Sequence, residues 1–276
     1  MMTSMLLLGL AALVYGAIYF VVSRLIFRPL RYPGGKWHTQ EELGAQDVWL
    51  RTSDGLRLHA WFLEAPGSRL VTMYLKGNGA NLTNRPGHLR EMTAAGSSVL
   101  ILDYRGYGKS PGRPTERGLY RDAEAGYDHL IGMGYEPGQI VVLGESLGSA
   151  VAVDLVCRRP CAGLTLECPF TSLSAMAGTI VLLAGRLFAS GYNTRHKIAA
   201  VHAPLLIIHG DRDRTVPHAM GRALFEAANE PKSFWTVEGA THVDLVEVAG
   251  PLYRARLQAF YESILSRPGA STGTLT

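Results

Sequence analysis

The hydropathy pattern divides the chain near its start. Met5 to Val22 is an unbroken apolar run, and Ser23 to Phe27 extends it around Arg24. A run of this length suffices to cross a bilayer, and it lacks the polar stripe that a helix packed in a soluble core shows at helical spacing. Further on, alternation over Asp47 to Leu50 and Leu56 to Leu63, separated by Ser53-Asp54-Gly55, predicts an antiparallel hairpin. The pattern then changes to short apolar runs separated by helix-length segments: Leu70 to Leu75, Ser98 to Leu102, Ile140 to Leu143, Leu164 to Leu166, Leu205 to Ile208 and Ser233 to Val237. Strands alternating with helices predict right-handed crossovers, hence an α/β fold with a mostly parallel sheet and helices on both faces. The strands are apolar throughout, as expected when both sheet faces are covered. Thr171 to Ala200 interrupts the alternation with an apolar, glycine-containing stretch, read as a short cap.

These boundaries divide the chain into an anchor over residues 1–30, a juxtamembrane linker over 31–44, a globular domain over 45–267 and a tail over 268–276. With 276 residues, 47% hydrophobic and 18% charged, the chain can bury one large core. A cleaved signal peptide is disfavoured, because Met1 to Ser4 carry no charge and Arg24-Leu25-Ile26-Phe27 is unlike a cleavage site.

The formal charge of +4 suggests a basic protein, yet Arg24, Arg28, Arg31 and Lys36 all precede the first acidic residue, Glu41. Without those four, 23 basic residues face 23 acidic ones. A nucleic-acid binder needs a basic stripe on its folded part, so no nucleic-acid partner is expected. Basic residues on the C-terminal flank of the run place the domain on the cytoplasmic side of a single-pass membrane protein. The three cysteines, Cys157, Cys161 and Cys168, form no spaced pairs and no metal spacing with histidine, and they are expected to be buried reduced thiols.

The chemistry centres on Gly144-Glu145-Ser146-Leu147-Gly148, which follows an apolar strand and opens a helix at Ser149 to Val153. Glycines flank a serine in this way where the chain turns too sharply for neighbouring side chains and pushes the hydroxyl out at the sheet edge. Serine is a weak nucleophile alone, so the turn has meaning only if a carboxylate and a histidine follow it. The strand Leu205 to Ile208 leads into His209-Gly210-Asp211-Arg212-Asp213, and Ser233 to Val237 leads into Glu238-Gly239-Ala240-Thr241-His242. Asp213 is the favoured acid, with Asp211 and Glu167 as rivals. Of the nine histidines, His242 alone combines the order and the loop position required.

Acyl transfer also needs backbone N–H groups to meet the developing oxyanion. Leu147, after the serine, is one expected donor. Asn78, in the loop Lys76-Gly77-Asn78-Gly79-Ala80-Asn81 after the strand Leu70 to Leu75, is the other. That loop lacks the spacing and the lysine-serine ending of a phosphate-binding loop.

Together these residues resemble the α/β-hydrolase superfamily and, within it, the small membrane-anchored, esterase-like branch that includes the α/β-hydrolase domain-containing proteins. The resemblance covers roughly residues 45 to 265. Asp103 to Ser110 looks like the branch's loop after its fourth strand, Gly144 to Gly148 its elbow, His209 to Pro217 its acid loop and Gly239 to His242 its histidine loop. The chain departs at Lys76, where the family usually has histidine.

The resemblance implies a serine hydrolase that cleaves carboxylic esters or thioesters through an acyl-enzyme, with Ser146 as nucleophile, His242 as base and Asp213 as orienting acid. A peptidase of the same fold, a haloperoxidase-like side activity and a non-catalytic membrane scaffold are the alternatives. Neither a dinucleotide fingerprint nor a metal-binding histidine pair is present, so no cofactor and no metal are expected. The apolar residues Met176, Ile180, Val181, Leu182, Leu183, Leu187 and Phe188, with membrane attachment through residues 5–27, favour an acyl or lipid-like ester as substrate.

Overall fold

The computed structural model of the protein describes Gly9, residues 26–180 and residues 191–267. The expected membrane run, the middle of the expected cap and the C-terminal tail therefore lie outside the described residues. Among the described residues no helix is long and apolar enough to cross a membrane. The elements run β1 (Arg28–Pro29), α1 (Thr39–Leu43), β2 (Gln46–Arg51), β3 (Arg57–Leu63), β4 (Leu70–Leu75), β5 (Gly79–Ala80), α2 (Pro86–Ala94), β6 (Ser97–Leu102), α3 (Glu116–Gly132), β7 (Ile140–Glu145) and α4 (Leu147–Val156). They continue with β8 (Gly163–Glu167), α5 (Leu173–Ile180), α6 (Thr194–Ile198), β9 (Leu205–Gly210), α7 (His218–Ala227), β10 (Lys232–Val237), α8 (Leu245–Ala249) and α9 (Pro251–Leu265).

Eight strands form one sheet in the order β10-β9-β8-β7-β4-β6-β3-β2. The hairpin β2·β3 is antiparallel, β3 meets β6 antiparallel, and every other neighbour is parallel. Each strand foreseen from the hydropathy pattern is present: β4 has the expected bounds, β3 starts one residue later, and the others are extended by a residue or two. Successive side chains of a strand point to opposite faces, and the core splits accordingly. Val71, Met73 and Leu75 join Leu100, Leu102 and Val142 beneath α3 and α4. Leu70 and Tyr74 join Ile101, Val141 and Leu143 beneath α2 and α9. Each large apolar side chain fully removed from water in these layers contributes about 1.5–3 kcal/mol.

The helices start where the sequence provides for unpaired N–H groups. Thr115 caps α3 by accepting the Gly118 N–H at 3.0 Å, with Glu116 in the first turn and His129 in the last. Pro251 opens α9, where its missing N–H costs nothing. The last residues of the expected anchor form β1, which pairs in parallel with β5, and residues expected to form a linker carry α1. The three cysteines are free; Cys168 is buried, while Cys157 and Cys161 are half-buried rather than buried as expected. Both follow α4 and pack against the edge of the core.

One buried ion cluster ties the hairpin, the loop after β6 and α3 together. The Arg105 backbone N–H and Nε both donate to Asp122, each at 2.8 Å. Its Nη1 and Nη2 donate to Asp54, in the hairpin turn, at 2.8 and 3.1 Å. Gly118 leaves the room needed, since a Cβ there would stand 2.6 Å from Arg105 Cδ. Asp122 is fully buried, whereas the Asp54 side chain is 29% exposed. Removing one partner of a buried pair leaves an uncompensated charge, so Asp122→Ala should cost roughly 3–5 kcal/mol and Asp54→Ala clearly less. Urea denaturation of the two variants, followed by circular dichroism, measures that difference.

Candidate active site

Strand β4 lies between β6 and β7, so the chain leaves β4 toward one side of the sheet and later returns on the other. At such a switch point the loops beyond the carboxyl ends of the strands diverge and open a crevice. The loops after β4 and β7 meet there, and those after β9 and β10 stand along the same edge.

Ser146 follows β7 with φ 51° and ψ −114°, a conformation that L-residues rarely adopt. Such a residue stores of order 1–3 kcal/mol and persists only where its surroundings hold it. Its N–H donates to the Glu167 carbonyl at 2.8 Å, and its carbonyl accepts from the Ser149 N–H and hydroxyl at 2.9 and 2.6 Å. The flanking glycines are required by close approach. A Cβ on Gly144 would stand 2.5 Å from the Gly148 carbonyl oxygen, and one on Gly148 would stand 1.8 Å from that of Leu75.

His242 Nε2 lies 3.0 Å from Ser146 Oγ, and its Nδ1 lies 2.7 Å from Asp213 Oδ2. The candidates separated in sequence are thus brought within hydrogen-bond reach. Asp213 Oδ1 accepts the N–H groups of Thr215 and Val216, each at 2.8 Å. Burial raises the Asp213 carboxyl, but the hydrogen bonds from His209 and His242 outweigh it and hold the group well below the usual carboxylate range. The loops carrying the acid and the histidine are joined by the Arg212 N–H donating to the Ala240 carbonyl at 3.0 Å, and by Gly239 N–H donating to Asp211 Oδ1 at 2.7 Å. The rival Asp211 therefore braces the histidine loop at the surface. Glu167 serves the other face of the elbow, accepting from the Tyr253 hydroxyl and lying 3.3 Å from His88 Nε2.

Several residues at this site carried no clear sign in the sequence. Glu145, inside the elbow, is paired in two-pronged fashion with Arg85 at 2.6 and 2.7 Å, and accepts the Tyr74 hydroxyl at 2.5 Å. Burial opposes its charge, yet the Arg85 guanidinium holds its carboxyl far below the ordinary value. A charged residue ending an apolar strand was the available clue that a partner was needed; its identity was not legible. His209 is the second such residue. Its Nε2 faces the Val216 carbonyl at 3.0 Å and Asp213 Oδ2 at 3.3 Å, while Nδ1 has no partner among the described residues, so the proton belongs on Nε2.

Cys168, His209 and Asp213 bring three potential ligand atoms within 4.8 Å of one another. Burial pushes the Cys168 thiol well up, which keeps its proton on, and the other two groups are already engaged with each other and with His242. This donor set suits a metal poorly.

The expected oxyanion donors stand on the two loops of the crevice. Leu147 opens α4, where the first N–H groups have no helical acceptor. Gly77 brings the other loop against Ser146, because a Cβ there would lie 3.5 Å from Ser146 Cβ. Neither the Asn78 nor the Leu147 N–H has an acceptor among the described residues. Lys76, the position unlike the family, is fully buried. Its ammonium lies 3.8 Å from Asp103 Oδ1 and 3.9 Å from the centre of the Tyr107 ring, and it presents no charge at the surface. Burial lowers the Lys76 ammonium and raises the Asp103 carboxyl, each partly offset by the other.

A parallel sheet with a strained serine after a central strand, and an aspartate and a histidine on later loops, is the arrangement of an α/β hydrolase. The chain belongs to the α/β-hydrolase family: it is 34% identical over 232 residues to α/β-hydrolase domain-containing protein WAV2 of Arabidopsis thaliana, covering 75% of each chain. It is 31% identical over 228 residues to α/β-hydrolase domain-containing protein 17B of Homo sapiens, covering 82% of this chain and 78% of that one. An uncharacterized protein of Mycobacterium tuberculosis is 39% identical over 237 residues, 83% of this chain and 84% of that one. The family model described as serine aminopeptidase, S33, matches residues 84–194. Among solved structures, an esterase of Pyrococcus furiosus superposes with a TM-score of 0.72 at 23% identity, covering 87% of this chain and 98% of that one, a likeness of fold.

The depressed Asp213 carboxyl adds stability that is fully present above the ordinary carboxylate pKa of about 4 and is lost as pH falls through its lower folded value. Asp213→Asn should therefore lower the urea midpoint at pH 7, and the gap to the unaltered protein should narrow below about pH 4. Midpoints measured from pH 7 down to pH 3 check this, with Asp211→Asn expected to change little throughout.

Proposed function

We propose that this protein is a serine hydrolase that cleaves carboxylic ester or thioester bonds of acyl or lipid-like substrates, held at a membrane by the run Met5 to Val22. The observation that carries the reading is the His242 imidazole, within hydrogen-bond reach of both Ser146 Oγ and Asp213 Oδ2. Ser146 Oγ attacks the acyl carbonyl carbon while its proton passes to His242 Nε2. Asp213 holds the resulting imidazolium, and the N–H groups of Asn78 and Leu147 meet the oxyanion, each such donor being worth about 3 kcal/mol. As the carbon–oxygen or carbon–sulfur bond breaks, His242 returns the proton to the leaving alcohol or thiol. Water, deprotonated by His242, then attacks the acyl-enzyme, releasing the carboxylic acid and restoring the serine hydroxyl.

The matched family model, described as a serine aminopeptidase, favours a second reading, in which the same groups cleave an amide. Esters are preferred here because the apolar stretch Thr171 to Ala189 and the neighbouring membrane run suit an acyl chain. The purified protein should react covalently with a fluorophosphonate probe, and Ser146→Ala should abolish the labelling; equal labelling of both would end the enzyme reading. Asp213→Asn should lower kcat by about three to four orders of magnitude.

Substrate choice is tested by a chain-length series of p-nitrophenyl esters beside a proline anilide. Each buried methylene is worth about 0.8 kcal/mol, so two further carbons should raise kcat/KM by roughly an order of magnitude until the pocket is full. A steady fall from acetate onward would indicate a small-ester hydrolase. Faster anilide cleavage would favour the peptidase.

A further inference from the structure

Asn78 makes contacts that binding an oxyanion through its backbone N–H does not require. Its side-chain Nδ2 donates to the Ile26 carbonyl at 2.7 Å, and its own carbonyl accepts the Arg28 N–H at 3.1 Å and the Tyr107 hydroxyl at 2.8 Å. The attachment continues along the arriving chain. Strand β1 pairs with β5, the Gly108 N–H donates to the Leu30 carbonyl at 2.9 Å, and the Tyr32 N–H donates to the Gly108 carbonyl at 2.9 Å. Phe27 is seated in the core. Among the described residues, the chain coming from the apolar run is thus fastened to the loop after β4 from Ile26 onward.

Covalent geometry turns this fastening into a distance. From Val22, the end of the unbroken apolar run, to Ile26 is four residues, which span at most about 14 Å even when fully extended. If the run lies in a bilayer, the crevice above Ser146 must lie at that bilayer's surface. Exposed residues on the arriving segment and next to His242 suit such a position. Tyr32 is 58% exposed, and Val243, next in the chain to His242, is 83% exposed. Arg28, Arg31 and Lys36, on the same N-terminal segment as Tyr32, are exposed too. Aromatic and basic side chains mixed in this way match the headgroup zone of a membrane with anionic lipid.

We propose that the active-site mouth faces the lipid leaflet into which the N-terminal run is anchored, and that the substrate is a long-chain acyl ester carried in that same leaflet. This deepens the proposed function and rests on it. The acyl ester would pass from lipid to Ser146 without crossing bulk water, and soluble short esters would be incidental substrates.

The test uses the full chain in phosphatidylcholine–phosphatidylglycerol vesicles, with 4-methylumbelliferyl palmitate in the bilayer and p-nitrophenyl acetate in the water. A flexible Gly/Ser spacer of ten residues between Ser23 and Arg24 adds roughly 17 Å of reach while leaving every contact from Ile26 onward intact. The spacer should lower turnover of the bilayer ester by about fivefold or more and leave the soluble ester within about twofold. Tyr32→Glu, on an exposed side chain, should do the same. Unchanged turnover of the bilayer ester in both variants overturns the proposal, as does failure of the full chain to float with vesicles. If the spacer abolishes both activities, Tyr32→Glu decides the matter alone. Loss of neither activity in Ser146→Ala would instead defeat the hydrolase reading itself.

Discussion

The close approach of the turn after β7 to the end of β4 governs the arrangement of the site. Gly148 packs so tightly on the Leu75 carbonyl, and Gly144 on the Gly148 carbonyl, that no side chain fits at either position. The turn is held in a conformation costly for Ser146 because α4 is buried behind it, with Ala150, Val151, Ala152 and Val153 in the core. Packing of that helix offsets the local strain. The same approach sets the serine at the sheet edge, where α4 begins.

Around this turn, buried charges are matched in pairs on both sides. On one side Glu145 is held by Arg85 and Tyr74, and Glu167 by His88 and Tyr253. On the other, Asp213 is held by two backbone N–H groups, His209 and His242. Taking a carboxylate out of water costs several kcal/mol unless its oxygens are satisfied. Glu145 and Asp213 are held ionised because their partners meet that cost, and a carboxylate with every oxygen engaged has little freedom to move. Asp213 therefore presents Oδ2 to His242 from a fixed position. The ordered neighbours of the histidine matter as much as the histidine.

The loop after β4 is stabilised differently. It rests on Gly77 against Ser146, on the buried Lys76 and Asp103 pair, and on the N-terminal strap. The Lys76 ammonium is accommodated within the fold by a carboxylate and two tyrosine rings. The consequence is a loop whose shape depends on residues both far upstream and far downstream of it.

The sequence alone determined the features that short windows can encode. Apolar runs of strand length, separated by helix-length segments, specified the parallel sheet, since a strand buried on both faces must be apolar throughout. Gly144 to Gly148 marked the sharp turn, because glycine is the residue that tolerates such crowding. The order of Ser146, Asp213 and His242 after their strands narrowed the candidate site to a few residues. It could not choose between Asp211 and Asp213 on physical grounds, since they are neighbours in one loop; only the closing of that loop turned Asp213 toward His242 and Asp211 toward Gly239. Nor could it pair Arg85 with Glu145, Arg105 with Asp122, or Ile26 with Asn78, which stand far apart in the chain. Periodicity reports which side of an element is buried, but a hydrogen bond between two elements depends on the register and approach that the whole sheet adopts. The folded chain alone decides which polar atoms meet.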